Sequence, residues 1–247
     1  MPKQSSDDTP SLKDLLSKKT DYQMDDRELV GNPFEWIEIP AGQVNLIGGG
    51  KTYIPQGTSI SIQVDSFWMT KYPITNQQYA PYVHTLDEKP TYWDNPKFNA
   101  PNQPIVGVSW FDVIEYCAWL STKLAFEVAP PFDYQWQWAA QGNTAHKYPW
   151  GDRWDNQNAN ANEKIGQTTP VDRYTQGMSP FGVFDLAGNT WEWCYIHPDI
   201  AENYTSAPAV LCGGSWLNYE MFATVHSRNM RLPNMHYNDV GFRLIRL

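Results

Sequence analysis

Three groups of residues in this sequence could do chemistry. The first is the stretch from Leu217 to Asp239, which mixes Tyr219, Met221, Phe222, His226, Met230, Arg231, Leu232, Met235, His236 and Tyr237. Its apolar positions recur with neither the strand nor the helix period, so it is not an ordinary strand or helix. A loop-like segment rich in aromatics, Met, Asn and His, held between Gly213-Gly214-Ser215-Trp216 and Val240-Gly241-Phe242-Arg243, has the composition of a recognition surface. The same residue types also suit a C-terminal loop folded into the core, and composition leaves both readings open. The second group is Asp185 and Glu192, which with nearby backbone carbonyls supply the hard oxygen ligands that Ca²⁺ takes; the other reading is solvated turn carboxylates. The third is Cys117, Cys194 and Cys212, which are odd in number and far apart, and so form neither a CxxC metal pair nor a disulfide framework.

These groups must be positioned by the rest of the chain. Residues 1 to about 30 are polar and Ser/Asp/Lys-rich, with Leu12, Leu15 and Leu16 able to make a helical turn or two; they read as a mobile tail or a docking peptide. Globular sequence, taken as a single domain over 31–247, opens with alternation from Phe34 to Pro40, the pattern of a strand. Gly48-Gly49-Gly50 lacks the strand-then-helix setting of a phosphate loop and reads as a turn. Alternation of Ile60, Ile62 and Val64, running on to Met69, predicts a half-buried strand. Thr75 stands where an N-cap belongs and predicts a short helix.

The clearest helix follows Ser109. Ser109 and Asp112 have capping-box spacing, in which hydroxyl and carboxylate each satisfy a free backbone N–H. Val113, Cys117, Leu120 and Leu124 then line one face. Cys117 therefore reads as a core thiol and not a nucleophile. Asp133 predicts the cap of a shorter helix through Ala139. From Gly142 to Gly188 the many Gly, Asn, Pro and Asp residues predict a long irregular region, which needs internal ties if it lies inside a compact domain.

A formal net charge of -9 opposes nucleic acid and anionic membranes as partners. No stretch has the length and apolarity of a membrane span, and the N-terminus lacks a signal-peptide apolar region, so the default location is cytoplasmic, with surface display left open.

Several signatures, met in order, resemble the formylglycine-generating enzyme family, also called sulfatase-modifying factors. They are Val64 to Asn76 around Phe67-Trp68-Met69-Thr70, Pro104 to Trp110, Tyr148-Pro149-Trp150-Gly151-Asp152, Thr169-Pro170-Val171, Phe184 to Trp193 with Gly188-Asn189-Thr190-Trp191-Glu192-Trp193, and the closing Gly-Gly-Ser-Trp and Val-Gly-Phe-Arg. The resemblance implies an α+β domain with a C-type lectin-like fold and much irregular loop. It also implies a calcium site at Asp185, Gly188, Thr190 and Glu192, and a second calcium site after the Pro-Trp-Gly-Asp element with Asn160 as its best-matching ligand. Active members bind copper through two cysteines just after the Gly-Gly-Ser-Trp element. Here the first of those positions is Asn218 and no cysteine follows Cys212, so no copper and no catalytic role are expected, because Cu(I) requires soft thiolates.

The C-terminal segment is also similar to the variable region of proteins diversified by retroelements, with Trp216, Arg228, Pro233 and Val240-Gly241-Phe242-Arg243 at the fixed places. That resemblance implies a ligand-binding, receptor-like protein whose variable region is 217–239. Its expected ligand-binding residues are Leu217, Asn218, Tyr219, Met221, Phe222, Met230, Arg231, Leu232, Met235, His236, Tyr237 and Asn238, and Met and aromatic residues there suit a protein or peptide partner. The alternative is an oxidoreductase of the formylglycine-generating type with a non-standard constellation.

Overall fold

A computed structural model describes residues 34–48, 53–197 and 209–247. The N-terminal tail and most of the triple-glycine turn lie outside the described residues.

The alternating start forms β1 (Trp36–Ile39), and β2 (Gly42–Ile47) pairs in a hairpin with β3 (Ser59–Val64). The sequence predicts one strand from Ile60 to Met69; the structure makes two, β3 and β4 (Phe67–Thr70), broken at Asp65-Ser66. The break lets β3 pair with β2 in its own two-stranded sheet while β4 joins a four-stranded one in the order β1-β4-β10-β5. In that sheet β5 is Val128–Ala129 and β10 is Ile245–Arg246. The first and last strands therefore both flank β4, which closes the domain on itself.

Among the described residues three α-helices pack around these sheets. Thr75 caps α1 (Asn76–Val83), its hydroxyl accepting from the Gln78 N–H. In α2 (Trp110–Ser121) the predicted capping box is present: the Asp112 N–H donates to Ser109 Oγ at 3.2 Å and the Ser109 N–H to Asp112 Oδ2 at 2.7 Å. Cys117 is fully buried on the inner face of α2, and burial pushes its thiol well above the ordinary range, the setting of an inert core cysteine. Asp133 is not the cap of α3 (Asp133–Gln141); it is the first helical residue, the cap position belongs to Phe132, and the Asp133 carboxylate turns inward. The reason is Arg228, described below.

The predicted irregular region is present: no helix or strand occurs between α3 and β6 (Trp191–Tyr195). Beyond it, a third sheet runs β8-β7-β6-β9, with β7 Ala209–Cys212, β8 Arg228–Asn229 and β9 Val240–Gly241. The segment of interest enters from β7, returns to the sheet at β8 and leaves through β9. It thus forms two lobes, 213–227 between β7 and β8 and 230–239 between β8 and β9, the strands at the two opposite edges of this sheet. Among the described residues no helix is long and apolar enough to cross a membrane.

Candidate functional site

The first lobe begins at two glycines that only glycine can fill. Gly213 and Gly214 both have left-handed φ, 96° and 76°, and a Cβ on Gly214 would lie 2.5 Å from the Phe222 carbonyl oxygen. The turn they make carries Trp216 inward, where it packs on Phe98 and Val106. Its backbone N–H donates to the Asn189 carbonyl at 2.9 Å, and its indole N–H to the Asn238 carbonyl at 3.3 Å. A strap from the irregular region holds the outer side of the lobe. The Asn162 N–H donates to the Asn218 carbonyl at 2.7 Å, the Glu163 N–H to the Trp216 carbonyl at 2.8 Å, and the Asn162 side chain exchanges bonds with Glu220. Both strap residues have positive φ, 64° and 54°. That backbone conformation is costly away from glycine and persists where the surroundings enforce it.

The second lobe is moored to the start of α2. The Gly107 N–H donates to the Tyr237 carbonyl at 2.9 Å and the Trp110 N–H to the Pro233 carbonyl at 2.9 Å. Between the lobes, Arg228 donates through Nε to Asp133 Oδ2 at 2.7 Å, with both side chains essentially inaccessible; the Tyr53 hydroxyl donates to the same carboxylate. Removing one partner of such a buried pair costs about 3–5 kcal/mol, so this contact fixes where the segment crosses the sheet.

The twelve predicted binding residues fall into two classes. Leu217, Tyr219, Met221, Phe222, Met230, Leu232 and Met235 are displayed, with Tyr219 at 71% and Leu232 at 64% exposure. They are seven of the twelve large apolar side chains exposed among the described residues, so the solvent-facing reading of the segment prevails over the core-packed one. The others are tied down. Asn218 Oδ1 accepts from Ser215 Oγ at 2.7 Å, and Ser215 Oγ also reaches Asp239 Oδ2 at 2.9 Å. Arg231 makes a two-pronged pair with Asp239, at 2.6 and 3.0 Å, and lies over the Tyr237 ring at 4.7 Å. Tyr237 packs on the core, and the Asn238 carbonyl serves Trp216. His236 is half-exposed but contacts Asp112 Oδ2 at 3.0 Å. Asn218, Arg231, Tyr237 and Asn238 therefore also help to hold the segment in place. Ser215 and Asp239 anchor them without a signal in the sequence, because in an irregular loop neither the strand nor the helix period says which neighbouring polar groups meet.

The four residues expected to hold calcium lie beneath the first lobe. Glu192 is fully buried; Oε1 accepts from Arg243 at 2.7 Å, and Oε2 accepts from Arg243 Nε at 2.6 Å and the Trp136 indole at 2.7 Å. Arg243 spans the gap to the irregular region by donating also to the Phe184 and Thr70 carbonyls. Its guanidinium already neutralises Glu192, and a divalent ion at that carboxylate would face a like charge, so these residues as arranged do not fit a cation at Glu192. Asp185 accepts from Asn189 Nδ2 at 2.9 Å, and burial pushes its carboxyl up to about 7 despite that bond. Gly188 lies against the Asn160 carbonyl, and the Thr190 hydroxyl is buried without a partner among the described residues. Among those residues no three His, Cys, Asp or Glu side chains converge on a common centre.

The chain matches the sulfatase-modifying factor enzyme 1-like domain over residues 23–247. It is 24% identical to the formylglycine-generating enzyme of Thermomonospora curvata over 84% of this chain and 91% of that protein. It is 23% identical to Bacillus subtilis YfmG over 92% of this chain, and it spans only 52% of the length of that protein. Among solved structures it resembles Treponema denticola variable protein 1, with a TM-score of 0.71 and 20% identity over 86% of this chain and 95% of that one. The fold is the C-type lectin-like one of that group, and the chain belongs to the sulfatase-modifying factor enzyme 1-like family.

Proposed function

We propose that the chain is a ligand-binding, receptor-like variable protein, diversified by a retroelement, that displays residues 217–239 on a C-type lectin scaffold. One observation carries this reading: the backbone of the segment is bonded to the scaffold at both lobes, while seven large apolar side chains point to solvent. A backbone held independently of its side chains is what a surface needs if its side chains are to change without unfolding it. Contiguous exposed apolar surface also marks interaction sites in soluble proteins. The Arg231 charge is matched within the protein by Asp239, and the His236 ring contacts Asp112, so the displayed surface is mainly apolar. It suits a protein or peptide better than a sugar, which needs free polar groups to bond its hydroxyls, and better than nucleic acid, which needs basic ones. The solved fold neighbour bears the name variable protein, which agrees with this reading.

The test is to read the DNA flanking the gene. A reverse transcriptase and a near-copy of the 3′ end differing at adenines in the codons of the seven displayed positions supports diversification; their absence makes the segment a fixed surface and removes this reading. The second reading, an oxidoreductase, is favoured by the relatedness to a formylglycine-generating enzyme. It requires chemistry without the cysteine pair, since Cys117, Cys194 and Cys212 are all buried. Oxidation of a cysteine-containing peptide by the purified protein would establish it.

A further inference from the structure

We propose that the outer edge of β3 docks a second copy of this chain through an antiparallel β3–β3 pair, so that the displayed surface is presented twice. In an antiparallel ladder, bonded and non-bonded residue pairs alternate. The Gly48 N–H donates to the Thr58 carbonyl at 2.8 Å, so Leu46 with Ile60 and Val44 with Ile62 are the next bonded pairs in the register. The backbone groups of Ser59, Ser61 and Gln63 therefore point away from β2. The same register turns the Asn45 carbonyl outward on the other side of the hairpin, and there Gln137 of α3 meets it at 2.9 Å. One edge of the hairpin is thus covered by a helix. On the other, no backbone N–H or carbonyl of Ser59, Ser61 or Gln63 bonds outward among the described residues, and all three residues are exposed.

An open edge is a template for pairing, and proteins that stay single blunt such edges with charges, proline, bulges or shortness. The other described edges are blunted in these ways. Strand β1 carries Glu38 and runs into Pro40, while β5, β8 and β9 have two residues each. Strand β3 has six residues, Ser-Ile-Ser-Ile-Gln-Val, with no charge, proline or glycine. The occupant that fits is the same strand. An antiparallel pair centred on Ser61 sets Ser61 opposite Ser61 and Ser59 opposite Gln63, so the facing side chains are small or neutral and no like charges meet. For a chain of net charge -9, a self-contact with no charge across it is a specific requirement, and β1 with Glu38 does not meet it. Each of the three residues exchanges both its backbone bonds with its partner, which joins two hairpins into a four-stranded sheet. A contact of that size is transient and concentration-dependent.

Sedimentation of the full chain from low to high micromolar concentration tests this. The mass is expected to rise from 28.4 kDa towards twice that value, and protection of the Ser59, Ser61 and Gln63 amides from hydrogen exchange is expected to rise with it. Ser61→Lys puts two ammonium groups face to face and is expected to return the protein to a monomer with an unchanged circular dichroism spectrum. Ser59→Lys combined with Gln63→Lys puts ammonium groups face to face at both outer pairs and serves the same purpose if the first variant misfolds. A mass that stays at 28.4 kDa up to the highest concentration, or an association that both folded lysine variants leave intact, overturns the proposal.

Discussion

Two irregular stretches of this protein, 185–192 with its partner Arg243 and 217–239, have opposite logic. In the first, the side chains are the structure: Glu192, Arg243, Asn189 and Asp185 are buried and bond to one another or to backbone across the chain. In the second, main-chain bonds and a few buried or half-buried polar side chains such as Arg228 and Asp239 hold the loop, while Tyr219, Met221, Phe222 and Leu232 face water. Irregular backbone is therefore held in two ways, by fixing side-chain identity or by tying main-chain groups, and only the second leaves side chains free to change.

The comparison breaks most sharply at Arg243. Arg243→Ala leaves Glu192 as an unpaired buried charge and removes the tie to Phe184 and Thr70, so a loss of about 3–5 kcal/mol in urea unfolding is expected. A loss below about 1 kcal/mol would mean that water replaces the guanidinium and that the pair is not structural. A smaller effect is expected where the two logics meet. Asp239→Ala frees Arg231 and Ser215, and because Arg231 can turn to solvent the expected cost is about 1–3 kcal/mol, read as a fall in melting temperature with secondary structure retained.

The next effect depends on pH. Burial raises the Asp185 carboxyl to about 7 in the folded protein, above its unfolded value of about 3.9. Between these values the folded state holds more protons than the unfolded one, so this group makes stability rise as pH falls from about 7 towards 4, by up to about 1.4 kcal/mol per pH unit. Asp185→Asn keeps the left-handed backbone that Asn tolerates and is expected to flatten that slope. A wild-type slope of the opposite sign would show that Asp185 is ionised when folded. The smallest effect concerns calcium. Because Arg243 already satisfies Glu192, adding calcium or a chelator is expected to leave the melting temperature unchanged; a rise with calcium would place a cation where the guanidinium lies.

Local pattern made part of this legible in the sequence. The capping box at Ser109 and Asp112, the face carrying Cys117 and the irregular span after α3 depend on residues close in the chain and are present in the structure. In the displayed lobes, large apolar residues with no period exclude a regular strand or helix but leave surface display and core packing both open, and exposure decides between them. What pattern could not supply was partnership. Asp133 looks like a helix cap from its neighbours, yet it pairs with Arg228, 95 residues away. Glu192 looks like a metal ligand in its motif, yet it pairs with Arg243, 51 residues away. Asn218 and Arg231 look as available as Tyr219 until Ser215 and Asp239 are placed beside them. Long-range charge pairing is decided by the fold and leaves no periodic trace.

The central claim is that the seven displayed side chains do not hold the fold. Its most direct test is thermal unfolding of a single variant in which Leu217, Tyr219, Met221, Phe222, Met230, Leu232 and Met235 are all replaced by serine. Exposed substitutions away from special sites usually fall within about ±0.5 kcal/mol, and seven effects of either sign partly cancel, so the variant is expected to unfold cooperatively and to lose less stability than Arg243→Ala alone. A loss as large as that of Arg243→Ala, or a non-cooperative transition, would show that these residues are part of the core and would contradict the account.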